Sequence, residues 1–249
     1  MSEGTAAPLQ VESHGDRVIA TLSRPEVRNA IDQATIDALH ALCDELEERP
    51  RTLVIAGADG VFASGADITQ LRDRGAADAR RGINTRAFER IRALPMPVIV
   101  AIDGYALGGG AELAYAADLR IGTPRLRIGN PETGLGIIAA AGATWRLPRI
   151  VGEARAAEML LTGRILDAEE ALSWGLVSSL HDPEDLLGAA HALADRIGAN
   201  DPRATRHTKT ALSAAPAAHP GLELALQAEL FESPEKQRRM TAFLEGRRR

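Results

Sequence analysis

One cysteine, Cys43, occurs in 249 residues. That excludes an intrachain disulfide, and the scarcity of thiols suits a reducing compartment. Aromatics make up only 3% of the chain, too few for the stacking platforms that bind single-stranded nucleic acid. Positive charge is not in excess either. The net charge is −5 at pH 7, which argues against a dedicated nucleic-acid binder. No apolar run reaches the roughly eighteen residues of a membrane span, so no membrane partner is expected. The opening stretch, MSEGTAAPLQVESHGD, has neither a basic start nor an apolar block, so a secretory leader is not expected and the expected location is cytoplasmic. The HExxH, GxxxxGKS/T and GxSxG signatures are missing. Histidines at 14, 40, 181, 191, 207 and 219 show no short ligand spacing with a cysteine or carboxylate, so no metal is expected.

What is present is a globular composition, 45% hydrophobic and 25% charged, in a chain long enough to build a core without staples. Leu9 to Leu22 alternates around His14-Gly15-Asp16 and reads as a hairpin. Ile36, Leu39, Leu42, Cys43 and Leu46 recur at helical spacing, which predicts a helix from Asp32 to Glu48 with Cys43 in its core stripe. Leu53 to Ala56 and Val98 to Ile102 are short apolar runs of the buried-strand type. Thr69 to Arg92 reads as helical, polar and rich in arginine, and Leu119–Ile121 and Leu126–Ile128 as two further strands. Past Gly152 the pattern turns helical. Asp167 and Glu170 form a capping box, Gly175 closes that helix, and later helices start near Pro183, Pro202, Leu222 and Ser233. Strand and helix alternate early and helices dominate late, which predicts α/β layers followed by a helical C-terminal region.

Gly134-Leu135-Gly136-Ile137-Ile138-Ala139 matches the dinucleotide pattern GxGxxG/A, with Glu153 beyond it. The required strand–turn–helix context is missing, because Gly129 to Thr133 intervenes. A different stretch carries chemistry. Gly108-Gly109-Gly110 separates the run ending at Leu107 from a helical segment, Ala111 to Ala117. Three glycines allow positive φ and close backbone approach, and helix N-terminal amides favour an anion. The same pattern also suits a plain strand-to-helix turn. Glu112 then falls in the first helical turn, where the dipole favours a carboxylate whatever its role. A second small-residue loop, Phe62-Ala63-Ser64-Gly65-Ala66-Asp67-Ile68, follows a buried strand, and a second carboxylate, Glu132, follows Pro131. Two carboxylates beside a backbone anion site would permit acid–base work on a carbonyl compound that becomes an enolate.

Together, Phe62 to Ile68, Gly104 to Leu113 and Asn130-Pro131-Glu132 with Leu135-Gly136 resemble the crotonase (enoyl-CoA hydratase/isomerase) superfamily. Arg24 to Ala30, Leu161-Thr162-Gly163-Arg164, Glu170-Ala171 with Gly175-Leu176-Val177, and Phe243-Leu244-Glu245 extend the resemblance over nearly the whole chain. It implies a ClpP-like α/β spiral of ββα units over residues 1–195. A helical region over 196–249 would build homotrimers or hexamers. It also implies an acyl-CoA substrate, with coenzyme A as part of the substrate and no separate cofactor. Backbone N–H groups of Ala66 and Gly109 would form the oxyanion hole, and Glu112 and Glu132 would be the catalytic acids and bases. Arg28, Ala63, Gly65, Asp67, Ile68 and Gly108 would border the CoA or substrate. The expected reaction is hydration of a 2-enoyl-CoA. The alternatives are a Δ3,Δ2-enoyl-CoA isomerase, another acyl-CoA reaction of the family, or a catalytically silent binding protein. Departures occur at Ala139, Ala140 and Trp145, where the family carries a Pro-Gly-Ala-Gly-Gly-Thr-Gln type run. Trp145 either fills space beside the Glu132 loop or packs in the core. Among Arg72, Arg74, Arg80, Arg81, Arg86 and Arg90, a solvated helix face is the plain reading and contact with a substrate anion the sharper one. Arg247 to Arg249 reads as an exposed tail.

Overall fold

A computed structural model of the chain describes residues 7–246. The arginine tail and the first six residues of the N-terminal stretch lie outside that range. The chain divides between Ala194 and Asp195 into two compact units.

The first unit opens with strands β1 (Leu9–His14) and β2 (Arg17–Leu22), an antiparallel hairpin turning at Gly15. Helix α1 (Gln33–Glu48) is capped by Asp32, whose carboxylate accepts the Thr35 N–H at 2.8 Å. Its stripe, Ile36, Leu39, Leu42, Cys43 and Leu46, is buried, and burial pushes the Cys43 thiol up to about 11. Strand β3 (Thr52–Gly57) pairs in parallel with β2 and with β4 (Val98–Ile102). All five residues of β4 are buried, the signature of a strand covered on both faces.

Between β3 and β4 the expected helical stretch is three helices. They are α2 (Ile68–Arg72), α3 (Ala76–Arg81) and α4 (Ile83–Ala93). Gly82, at φ +59, takes the left-handed conformation that ends α3, and Gly75 caps its start in extended conformation. Glycine thus breaks a pattern whose polar face reads as continuous.

Then come β5 (Tyr105–Leu107), α5 (Gly109–Ala116), β6 (Leu119–Gly122) and β7 (Arg127–Gly129). The main sheet has order β1-β2-β3-β4-β6, and β5 and β7 belong to a second sheet. Ala63 joins that second sheet by a parallel bridge to Ala106. A repeat is therefore visible. β3, β4 and β6 each contribute to the first sheet, and Ala63, β5 and β7 follow them into the second. Each pair then leads to a helical turn: α2, α5, and a 3-10 turn at Pro131–Leu135. The ββα unit has climbed one strand at each pass.

Helices α6 (Ala143–Val151) and α7 (Glu153–Thr162) follow, then β8 (Ile165–Asp167) against β7, α8 (Ala168–Ser173) and α9 (Leu186–Gly198). Asp167 and Glu170 form the expected capping box of α8. Neither α6 nor β8 is among the elements expected above, although Ala143, Leu147 and Val151 of α6 recur at helical spacing. The second unit is made of α10 (Pro202–Ser213), α11 (Gly221–Phe231) and α12 (Pro234–Gly246). No side chain of α11 or α12 is buried, and Leu224, Phe231, Met240, Phe243 and Leu244 are all exposed. Among the described residues no helix is long and apolar enough to cross a membrane.

Candidate active site

The glycine triplet builds the start of α5. Gly108 stands at φ +51 and ψ −121, a conformation open to glycine, and its N–H donates to Gly129 O on β7 at 2.9 Å. Gly110 has a different reason: a Cβ there would lie 2.4 Å from Ala63 O and 2.8 Å from Ala63 Cβ. The helix therefore rests directly on the 63–67 loop. That loop is pinned in turn. Ala63 N–H donates to Tyr105 O, Leu107 N–H to Ala63 O, Ile31 N–H to Gly65 O and Asp67 N–H to Ile31 O.

Two amides are left over. Ala66 stands in a parallel bridge whose bonds run through its neighbours, and Gly109 is the first residue of α5. Neither N–H donates to another backbone group among the described residues. They are neighbours in space, for a Cβ on Gly109 would sit 3.6 Å from Ala66 N. Both border a cavity of ≈ 500 Å³.

Glu112 and Glu132 border the same cavity. Glu112 is 3% exposed, and its Oε1 accepts the N–H groups of Ala141 at 2.6 Å and Ala143 at 3.1 Å. Burial dominates over these bonds and over the Arg146 charge, and together with the nearby Glu132 it pushes the carboxyl from its ordinary 4.5 to about 7. Glu132 lies on the 3-10 turn and is also raised, chiefly by burial. Its Oε1 accepts Asn130 Nδ2 at 3.4 Å, and its buried Oε2 has no partner among the described residues. Asn130 is oriented from behind by the Tyr115 hydroxyl, which donates to Asn130 Oδ1 at 3.0 Å. An apolar wall, including Ile68, Leu71, Ile83, Leu135 and Ile138, completes the cavity.

Six of the expected site residues beyond the acids and amides sort cleanly. Gly65, Ile68 and Gly108 line the cavity. Arg28, Ala63 and Asp67 are absent from its lining. Arg28 is exposed at φ +54 at the end of the Pro25–Val27 3-10 turn, Ala63 is a fully buried bridge residue, and Asp67 caps α2 by accepting Gln70 N–H at 3.1 Å. Of the six arginines between Arg72 and Arg90, Arg74 lines the cavity, while Arg90 is tied to Asp44 and Glu47 on α1. Trp145 is 42% exposed, which corrects the core-packing expectation: the Arg146 guanidinium lies over its ring, 5.4 Å from the centroid, and the ring lines no part of the cavity. The residues missed are Ala141, Ala143, Asn130 and Tyr115. Backbone N–H donors carry no signal of residue type, and Tyr115 reads as an ordinary core position. The Gly134–Ala139 decoy lies on the 3-10 turn and the coil after it, with no helix to receive a pyrophosphate. Among the described residues no group of His, Cys, Asp and Glu could hold a metal ion.

A cavity with two free amide donors and two raised carboxyls can polarise a carbonyl oxygen and exchange protons beside it. Comparison with known proteins agrees with that outline. The fold matches the crystal structure of an enoyl-CoA hydratase from Bacillus anthracis with a TM-score of 0.91 at 31% identity over 96% of both chains. This is the crotonase fold. The enoyl-CoA hydratase/isomerase family model matches residues 16–249, and the chain belongs to that family. Relatives include a short-chain-enoyl-CoA hydratase of Clostridium acetobutylicum, 34% identical over 96% of this chain and 95% of that protein. A crotonyl-CoA hydratase of Syntrophomonas wolfei is 34% identical with the same coverage.

Proposed function

We propose that this protein adds water across the double bond of 2-enoyl-CoA thioesters, giving 3-hydroxyacyl-CoA. The observation that carries the reading is the meeting of two buried carboxyls with the free amides of Ala66 and Gly109 in one cavity. The N–H groups of Ala66 and Gly109 receive the thioester oxygen, which makes the β-carbon electrophilic. Donors aimed at a developing oxyanion contribute roughly 3–4 kcal/mol each to lowering the barrier. The ionised Glu112 takes a proton from water as its oxygen bonds to Cβ. The resulting enolate collapses, and the protonated Glu132 delivers its proton to Cα. Atoms balance: one water enters, its oxygen and one hydrogen end on Cβ, one proton ends on Cα, and the proton left on Glu112 returns to Glu132 through solvent before the next turnover. The unpartnered Oε2 of Glu132 suits this role, since a neutral carboxyl has an O–H to give.

The exposed apolar side chains of α10, α11 and α12, Leu212, Leu224, Phe231 and Met240 among them, support assembly into homotrimers or hexamers through the helical region. The proposal includes a cytoplasmic enzyme of acyl-CoA metabolism with no nucleic-acid or membrane partner and no further cofactor, and the net negative charge supports the lack of a nucleic-acid partner.

Crotonyl-CoA added to the purified protein should lose its conjugated enoyl-thioester absorbance, and product formed in heavy-oxygen water should carry the label at Cβ. Turnover of a 3-enoyl-CoA without label would assign the isomerase reaction instead. No turnover at any acyl length would reject both.

A further inference from the structure

Arg146 is a buried cation that the reaction above leaves unused. It is 8% exposed and stands on α6, just after the segment that holds Glu112. Its Nη1 donates to Ala141 O at 3.1 Å, and its Nη2 donates to Glu89 Oε1 on α4 at 2.7 Å. The guanidinium lies against Gly142 so closely that a Cβ there would fall 2.1 Å from Nη1, and Gly142 itself stands at φ +130. The Trp145 ring covers it from another direction. A planar cation fixed at four points leaves the peptides of Ala141 to Ala143 little freedom. Those peptides supply both N–H groups that Glu112 accepts.

We propose that Arg146 is the positioning residue for Glu112. It clamps the 141–143 segment so that two amides meet the carboxylate, and it sets a positive charge behind them that favours the ionised form. The inference rests on Glu112 being the base of the proposed hydration. It adds that the base is governed by a guanidinium it does not touch, and that Glu89 moderates that guanidinium.

The charges around Glu112 make the claim specific. Glu132 faces it from the 3-10 turn and opposes ionisation, Arg146 faces it from α6 and favours it, and the Tyr115 hydroxyl shares its own helix. Arg146 in turn feels Glu89 and Arg92 from α4. Removing the cation and removing its anionic partner must therefore move Glu112 in opposite directions. Mere loosening of the segment would move it the same way in both variants.

The test follows the carboxyl carbon of Glu112 by NMR in protein labelled with 13C-glutamate, assigned by its loss in Glu112→Gln. The pH profile of kcat/KM on crotonyl-CoA is recorded beside it. Arg146→Met should raise the Glu112 midpoint by about one pH unit, with the acid limb of activity moving alongside. Glu89→Gln should lower it. Arg146→Lys should keep the midpoint near that of the wild type yet lower kcat several-fold, because one ammonium cannot span Ala141 O and Glu89. An unmoved midpoint in folded Arg146→Met, or shifts of the same sign in Arg146→Met and Glu89→Gln, would overturn the proposal. Should Arg146→Met not fold, Glu89→Gln and Arg146→Lys decide it, a midpoint unmoved in Glu89→Gln counting against. Opposite shifts in a protein that turns over no enoyl-CoA would reject the hydratase reading and keep the coupling. Normal turnover with unmoved midpoints would reject the coupling alone.

Discussion

Glu112 and Glu132 open onto the same cavity from elements built on different principles. Glu112 sits in the first turn of a regular helix and hands one oxygen to two backbone amides, with a guanidinium behind them. Glu132 sits on a short 3-10 turn, meets one side-chain amide at 3.4 Å, and leaves its other oxygen buried without a partner among the described residues. Donors favour the ionised form of a carboxyl, yet burial outweighs them at both positions and raises Glu112 to about 7 and Glu132 above its ordinary value. The two residues share a chemical group and differ in what surrounds it. In the proposed hydration, that difference assigns proton acceptance to one and proton donation to the other.

The sharpest way to break this contrast is to remove each acid in turn. Glu112→Gln and Glu132→Gln should each lower kcat about 10²–10⁴-fold with little change in substrate affinity. In the wild type, kcat/KM should rise with pH through about 7 as Glu112 ionises, and that limb should vanish in Glu112→Gln. A profile flat from pH 5 to 9 would dissolve the distinction between base and acid. Stability should report the same asymmetry at smaller scale. The fold raises the Glu112 carboxyl above its unfolded value of 4.5, so its favourable contribution is full below that value and is lost as pH rises through about 7. Glu112→Gln should therefore be more stable than the wild type at pH 8, by up to about 3 kcal/mol, and the two should converge by pH 5 in denaturant titrations. The smallest perturbation targets Glu132 through its neighbour. A Cβ on Gly108 would lie 3.0 Å from Glu132 Oε1 and would carry the strain of φ +51, so Gly108→Ala should displace that acid, lower kcat roughly ten- to a hundredfold and also cost some stability. Gly110→Ala, by contrast, presses on Ala63 and should show mainly as about 1–3 kcal/mol of lost stability in melting experiments.

Much of this was legible because glycine and carboxylate positions are written in residue type. Gly108 to Gly110 announced the start of α5, and its start placed Glu112 in the first turn facing the loop at Ala66. The apolar runs of β3 and β4 were equally plain, since strands covered on both faces tolerate no polar interruption. What stayed hidden depends on tertiary contact. Ala141 and Ala143 act through N–H groups that every residue but proline has. Helix α6 follows a run of alanines and Gly142 and carries Pro148 within it, which hides it despite the helical spacing of its buried Ala143, Leu147 and Val151. Trp145 was expected inside because aromatics are usually buried; here the Arg146 guanidinium gives its ring a partner at the surface.

The pinning of Ala66 to Ile31 and of Ala63 to Ala106 also bears on how the molecule matures. The amide pair forms only after a segment near the chain start, the loop after β3 and the start of α5 have all found one another, and Glu112 is oriented only once the 141–143 segment has docked. Partial assemblies of the chain lack either the anion pocket or the oriented base. For the proposed hydration, turnover of an acyl-CoA thus becomes an all-or-none readout of completed folding.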